Sequence, residues 1–534
     1  MSQLQRQPES GPVEPYTTHS PAVPREVPAS RARMVRWAGF APALFFLVIV
    51  MLPPLNHDAA AVLDFSRRWL AGERLYIDLI DVNPPLIFIL NLVPAALARW
   101  TPLGPAQALV LCLLGVAGLV WWLCASLRVR ETEGEVEAAV LTTCLPLLLV
   151  MAGSDFGQRD VLMAMAAIPY CLLAARRIEG PPAPGRLAIG VVVLAALAFA
   201  LKPYFLMVPL MVEGLVGWRR GFARAARDPV PWLMAMVWFA YLLLVLAAFP
   251  AFYQKVLPFA WEVYGGIHGP GPWRVLVTDM MGAATFLLLV AVVAAMRWQA
   301  GAFAQALAVA ACGAFFSAWM QHKGWPYHVI PVTILACGAV VFAAARWVDR
   351  MLPHASAYAV APVLAAVASI AILLYTVHGS ETPWREAEYA DGTADRLATW
   401  LRQQAGGSDV LVLSPDIFPV QPALTYAGAR QRLRPMSTWM LQATYRHCPD
   451  GASPYHELEQ MGQAERSFFL RTAEDFAAAP PRALVVQRDA KIHDCGARFD
   501  LLDYFLRSPS FLHAFRNYRP AGEIDGYRLF LRQP

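Results

Sequence analysis

Apolar runs of bilayer length recur along this chain, and they constrain its fold more than any other feature. Clear runs cover 38–56, 106–127, 230–249, 278–296, 304–320, 329–345 and 356–377, and shorter ones cover 138–152, 161–175, 187–201 and 204–217. A helix needs roughly 17–25 apolar residues to cross a bilayer. Inside lipid every backbone polar group must be satisfied within the segment, so helices are the expected spanning elements. Composition agrees: 57% of the 534 residues are hydrophobic, 16% are charged, and the mean hydropathy is +0.43. The net charge of +5 is dispersed among loops, which points to membrane orientation and away from nucleic-acid binding.

Arginines cluster at 128–130, at Arg176, Arg177 and Arg186, at 219–227, at Arg297 and at 346–350, and the tail before residue 38 carries five. The intervening loops near 153–160, 202–203 and 321–328 carry one basic residue each besides histidine. The positive-inside rule places the first set in the cytoplasm and the second set outside. That alternation holds only if residues 85–99 do not cross, since a crossing there inverts every later loop. The segment is short for a span, Pro85 and Pro94 lie within it, and Pro84 directly precedes it. We therefore expect 57–105 to be one external excursion, with eleven crossings in all.

Residues 1–37, rich in Pro, Ser, Arg and Glu, are expected to be a disordered cytoplasmic tail. The first apolar run is long enough, and lacks a small-residue cleavage site, to act as a signal anchor. Residues 38–378 form the membrane part, and the composition changes near 379. Segment 385–404 has helical spacing, while 409–414, 483–487 and 526–532 are strand-like, so 379–534 is expected to be an α/β domain outside the cytoplasm. It contains no P-loop or dinucleotide-binding glycine pattern. Six of the eight cysteines lie in membrane runs, where small apolar packing explains them; Cys448 and Cys495 are left to pair if that side is oxidising.

Polar clusters mark the outer ends of the spans, where ionisable groups are costly and point to function. Asn56-His57-Asp58 follows the first span, and Asp58 is a candidate general base, with helix capping as the alternative. Asp78, Asp81, Asn83, Pro84 and Pro85 make an ordered turn back toward the membrane. In Ser154–Asp160, Asp155 and Asp160 could ligate a metal, or Arg159 could bind a phosphate that Asp160 orients; a satisfied Asp–Arg pair is the plainer alternative. Lys202, followed by Pro203 and Tyr204, has no acidic neighbour in sequence and calls for an anion such as a lipid phosphate. Between later spans, His322, Lys323, Tyr327 and His328 suit a phosphate or a sugar, with interfacial anchoring as the competing role.

The order of these parts over residues 38–260 resembles the GT-C superfamily of membrane glycosyltransferases. The likeness rests on Asp58 after the first span, on the stretch from Tyr76 through Asp78 and Asp81 to Asn83-Pro84-Pro85, and on Leu201-Lys202-Pro203. The Ser154–Asp160 loop is similar to the acidic second external loop of oligosaccharyltransferases. The C-terminal domain resembles that of bacterial lipid A aminoarabinose transferases, in a branch that also looks like the bacterial protein O-mannosyltransferases. The chain departs from that branch in carrying Asn83 where those enzymes have lysine, and Ala59–Ala61 where an arginine follows the first carboxylate.

The resemblance implies transfer, with inversion, of a sugar from a polyprenyl-phosphate donor to a lipid, glycan or protein acceptor, on the periplasmic side of a bacterial inner membrane. Asp58 would act as base, with Asp81 and Asp160 as further acidic candidates. Lys202 and Arg159 would bind phosphate, with Asp155, Asn83, Tyr204, His322, Lys323, Tyr327 and His328 around the substrates. A divalent metal on Asp58, Asp155 and Asp160 is an open option that no spacing demands. A secondary transporter predicts an internal repeat that the sequence does not show. A non-catalytic envelope-assembly protein would not need these clusters on one face.

Overall fold

The computed structural model describes residues 29–263, 271–277, 279–298, 300–377, 389–451, 453–492 and 494–533. Residues 1–28 of the expected tail, and the first four residues of the 385–404 segment, lie outside the described residues.

The membrane part is a helical bundle: α1 Ala29–Met51, α2 His57–Leu70, α3 Leu86–Trp100, α4 Pro105–Leu127, α5 Glu135–Val150, α6 Arg159–Glu179, α7 Gly185–Phe199, α8 Met207–Arg220, α9 Pro229–Ala248, α10 Asp279–Arg297, α11 Ala302–Gln321, α12 Ile330–Met351 and α13 His354–Val377. Among the described residues, seven helices are long and apolar enough to cross a membrane: α1 (from Arg33), α4, α6, α9, α11, α12 (with the preceding turn) and α13. Helices α3, α7 and α10 (from Met281) are shorter and apolar. α1 starts at Ala29, before the apolar run that marks it in sequence, because Ala, Arg and Met continue a helix readily beyond the bilayer. It stops at Met51, ahead of Pro53-Pro54.

Several of the arginines that set the charge asymmetry are paired at the bundle end opposite the polar clusters. Arg177 binds Glu213 at 2.6 and 2.8 Å and Asp228 at 2.9 Å, and Arg220 binds Asp228 at 2.6 Å, which joins α6, α8 and the start of α9. Arg177 and Asp228 are buried, and a buried charge is costly to leave without its partner.

The C-terminal domain is a five-stranded sheet flanked by helices. Its strands are β1 Asp409–Leu413, β2 Arg430–Gln431, β3 Ala483–Gln487, β4 Tyr518–Ile524 and β5 Tyr527–Arg532, in the order β2-β1-β3-β5-β4. β1 is parallel to β2 and β3, whereas β5 is antiparallel to β3 and β4. Alternation along β1 and β3 sends Leu411, Leu413, Leu484 and Val486 to one core and Val410, Val412, Ala483 and Val485 to the other. The second core is closed by α14 Thr393–Ala405 and α15 Val420–Ala427, and α16 Gln463–Ala478 lies on the first. Cys448 and Cys495 form a disulfide with Cα atoms 5.0 Å apart.

Sheet and bundle are joined through residues 55–80. Tyr426 of α15 accepts from Leu55 N at 2.9 Å, Arg68 Nη1 donates to Leu433 O at 2.9 Å, and Ile80 N donates to Arg434 O at 2.9 Å. These links bear on α3. The chain enters α3 shortly after Ile80, and Arg99 near its end donates to Leu70 O at the end of α2. Leu113 of α4 then meets Gly157 beside Ala59. From these contacts we propose that α3 begins and ends on the side of the C-terminal domain. We expect Gly104→Cys to react with a membrane-impermeant maleimide from that side and Thr132→Cys only from the other; labelling of both from one side would contradict this path.

Candidate functional site

The polar clusters meet where α2, α6, the α7–α8 break and the α11–α12 turn come together. α2 starts there because Asn56, in an extended conformation, caps it: Asn56 Oδ1 accepts from Asp58 N at 2.9 Å and Ala59 N at 3.1 Å. Capping therefore falls to Asn56, which leaves the Asp58 carboxylate for other partners. Gln158 Nε2 donates to Asp58 Oδ2 at 3.0 Å, and His57 Nε2 lies 3.6 Å from Oδ1.

The loop carrying Gln158 approaches through Gly157. Its φ of +99° favours glycine, and a Cβ there would meet Leu113 at 2.8 Å and Ala59 at 3.4 Å. Asn56 Nδ2 holds the same loop by donating to Asp155 Oδ1 at 2.9 Å. α6 then opens with Arg159 and Asp160, which are 8% and 1% exposed.

Lys202 is not unpaired. Its Nζ lies 2.6 Å from Asp160 Oδ2, a partner 42 residues away in sequence. The lysine sits in extended backbone after α7, and Pro203 begins a single 3₁₀ turn, Pro203–Leu206. Residues three apart eclipse in such a turn, which brings the Phe205 ring to 5.5 Å from the ammonium, while Tyr327 reaches it at 5.1 Å from another element. Tyr204, the aromatic chosen from sequence, is 39% exposed, and Phe205 is the buried ring instead.

The α11–α12 turn divides its residues. His322 caps α11 in a left-handed conformation, with Nδ1 3.1 Å from its own helix at Met320 O. Tyr327 and His328 turn inward, their ring centroids 4.6 Å apart, and His328 is 4% exposed. Lys202, Arg159 and Lys323 are its electrostatic neighbours. Neither ring nitrogen of His328 has a hydrogen-bond partner, and neither has Arg159 Nη1 or Gln158 Oε1. Orphaned buried polar atoms are expensive, and several in one place indicate a missing polar occupant.

Asp81 completes the group. Asn83 supplies its backbone N–H to Asp81 Oδ1 at 2.7 Å, along with its side-chain amide, so Asn83 serves this carboxylate. Burial pushes Asp81 up to about 6, against the pull of Asn83 and Arg159, with Asp58 adding to the rise. Burial also works to raise Asp58, but His57, Arg159, Gln158 and Lys202 together hold it below the ordinary carboxylate value. Two nearby carboxyl groups with pKa values driven apart are a common mark of divided acid and base roles. Asp78 lies outside the group, bound to Arg74 at 3.0 Å.

The metal option has no ligand set here. Asp58 faces Gln158 and His57, Asp155 faces Asn56, and Asp160 faces Lys202. Among the described residues, no three His, Cys, Asp or Glu side chains converge to hold an ion.

The chain is similar in structure to ArnT from Cupriavidus metallidurans. Against the apo crystal structure the TM-score is 0.53 at 14% identity, covering 94% of this chain and 98% of that one. Against the crystal structure bound to undecaprenyl phosphate it is 0.54 at 13% identity, with the same coverage. No protein-family model matches the sequence, and no curated protein matches it. The fold is that of a polytopic α-helical membrane protein with a C-terminal α/β domain, and it is shared with ArnT.

Proposed function

We propose that this protein is a membrane glycosyltransferase that moves a sugar from a polyprenyl-phosphate donor to an envelope acceptor at the extracytoplasmic face. One observation carries the reading: an ionised carboxylate, the half-buried Asp58, lies within electrostatic reach of two buried cations, Arg159 and Lys202, and Arg159 has a donor still unsatisfied. A glycosyl phosphate needs this combination, a base on the attacking side and cations on the leaving side. Fold similarity to a protein crystallised with undecaprenyl phosphate supports the lipid donor. The distribution of arginines supports the outer face.

The acceptor hydroxyl attacks the anomeric carbon opposite the phosphate. The new C–O bond forms as the bond to the phosphate oxygen breaks, and the hydroxyl proton passes to Asp58. The phosphate keeps the bonding electron pair and leaves toward Arg159 and Lys202. Tyr327 and His328 line the cationic side, and the His328 ring can donate to an anion held there. The direct test is transfer of labelled sugar from a polyprenyl-phosphate pool to envelope material in membranes carrying the protein. Failure to transfer from any such donor would overturn the reading.

Asp81 adds a pH dependence. Below about 6 it is neutral and leaves Arg159 to the donor; above that it ionises and competes for the same guanidinium. The phosphate of a glycosyl phosphodiester does not titrate in this range. We therefore expect the donor KM to rise as pH passes upward through about 6, and Asp81→Asn to keep it low throughout. By the same raised value, ionisation of Asp81 withdraws stability as pH climbs through about 6. A step that survives in Asp81→Asn would assign it to another group.

A further inference from the structure

Parallel strands β1 and β3 lie side by side in the C-terminal sheet, and ligands in open α/β sheets bind outside the carboxyl ends of such strands. At that end Ser414 Oγ donates to Gln487 Oε1 at 2.5 Å, and Lys491 Nζ meets Asp416 Oδ2 at 2.5 Å. The 414–419 loop after β1 runs to the helical bundle, where Ile417 packs against the bundle core. Next to it the Phe418 ring stands 6.2 Å from the His57 ring, and His57 is the residue beside Asp58. Phe418 is 41% exposed. An exposed aromatic ring from the other domain thus stands next to His57, the residue before the proposed base, and the opposite charges of Asp416 and Lys491 lie in and beside its loop.

We propose that Phe418 is the acceptor platform: the attacking hydroxyl belongs to a sugar ring lying on the Phe418 face, with the 414–419 loop reading its rim. This rests on the glycosyltransferase reading above. An exposed aromatic face, with the partly exposed Asp416 and Lys491 charges in and beside its loop, suits an occupant that is apolar on one face and hydroxylated at its edge, which describes a pyranose. A peptide acceptor is captured best along a free strand edge. The free edges of this sheet are β2 and β4, and Phe418 belongs to neither.

The experiment is saturation-transfer NMR on the full-length protein in nanodiscs, using cellobiose, chitobiose and mannobiose as probes beside a threonine-containing peptide. We expect saturation of ring protons in at least one disaccharide and none in the peptide. The signal should fall about 5- to 10-fold in Phe418→Ala and Phe418→Leu and return in Phe418→Trp. Asp58→Asn should keep it, because binding on the platform does not need the base. Equal signals in wild type and both truncated variants, or saturation of the peptide alone, would overturn the proposal and leave Asp58 and the donor site untouched. Disaccharide binding that depends on Phe418 in a protein that transfers no sugar would sustain the platform as a glycan site and overturn the catalytic reading instead.

Discussion

Asp58→Asn is expected to lower glycosyl transfer by about 10²–10⁴-fold, or roughly 3–5 kcal/mol of activation barrier. The substitution is nearly isosteric, and an asparagine oxygen can still accept from Gln158 Nε2, so the helix start keeps its geometry. The α2 cap is also untouched, since Asn56 supplies it. The loss would therefore report the missing proton acceptor and not a disturbed helix. Donor KM should change little, because the leaving-side cations stay in place. In the wild type the depressed pKa of Asp58 keeps it ionised through neutral pH, so turnover should fall only in acid. The measurement is transfer from a polyprenyl-phosphate sugar at matched expression. A wild-type rate in Asp58→Asn would move the base to Asp81, and indifference to replacement of Asp58, Asp81, Asp155 and Asp160 together would end the glycosyltransferase reading.

The membrane part was legible because a bilayer acts on each span separately. The apolar runs from 106–127 to 356–377 became helices at nearly their sequence positions, including the short α7 and α8. Strands β1 and β3 were legible for a similar local reason, their continuous apolar runs, and β5 through its Leu529-Phe530-Leu531 core between arginines. β4 was not, because Arg519, Pro520, Gly522 and Glu523 break its alternation, and β2 has only two residues. The candidate site was legible one cluster at a time, through charges standing where lipid is near. What joins the clusters is long-range and leaves no local trace. Nothing near Lys202 announces Asp160, and nothing near Leu55 announces Tyr426, 371 residues away. Phe418 was invisible for the same reason, since it gains meaning only beside His57. Phe205 could have been found, because a lysine followed by proline at a helix break implies a 3₁₀ turn that aligns the third residue on.

The Lys202–Asp160 pair gives the second large effect and separates two jobs that one lysine performs. Both side chains are buried, so Lys202→Met leaves the Asp160 carboxylate without its cation. Breaking a buried pair from one side typically costs about 3–5 kcal/mol. The variant should denature at lower temperature in detergent and should also bind donor poorly. Taken alone, that result is ambiguous, since a loosened site binds everything poorly. Asp160→Asn added to Lys202→Met removes the orphaned charge, and replacing both members of a buried pair with neutral groups of similar size is often close to neutral. The double variant should therefore recover most of the thermal stability while its donor KM stays high, because no ammonium faces the phosphate. Measured side by side, denaturation temperature and donor KM should part company between the single and double variants. If the double variant regains both, Lys202 serves only to pin α7 to α6, and binding of the leaving phosphate falls to Arg159 alone.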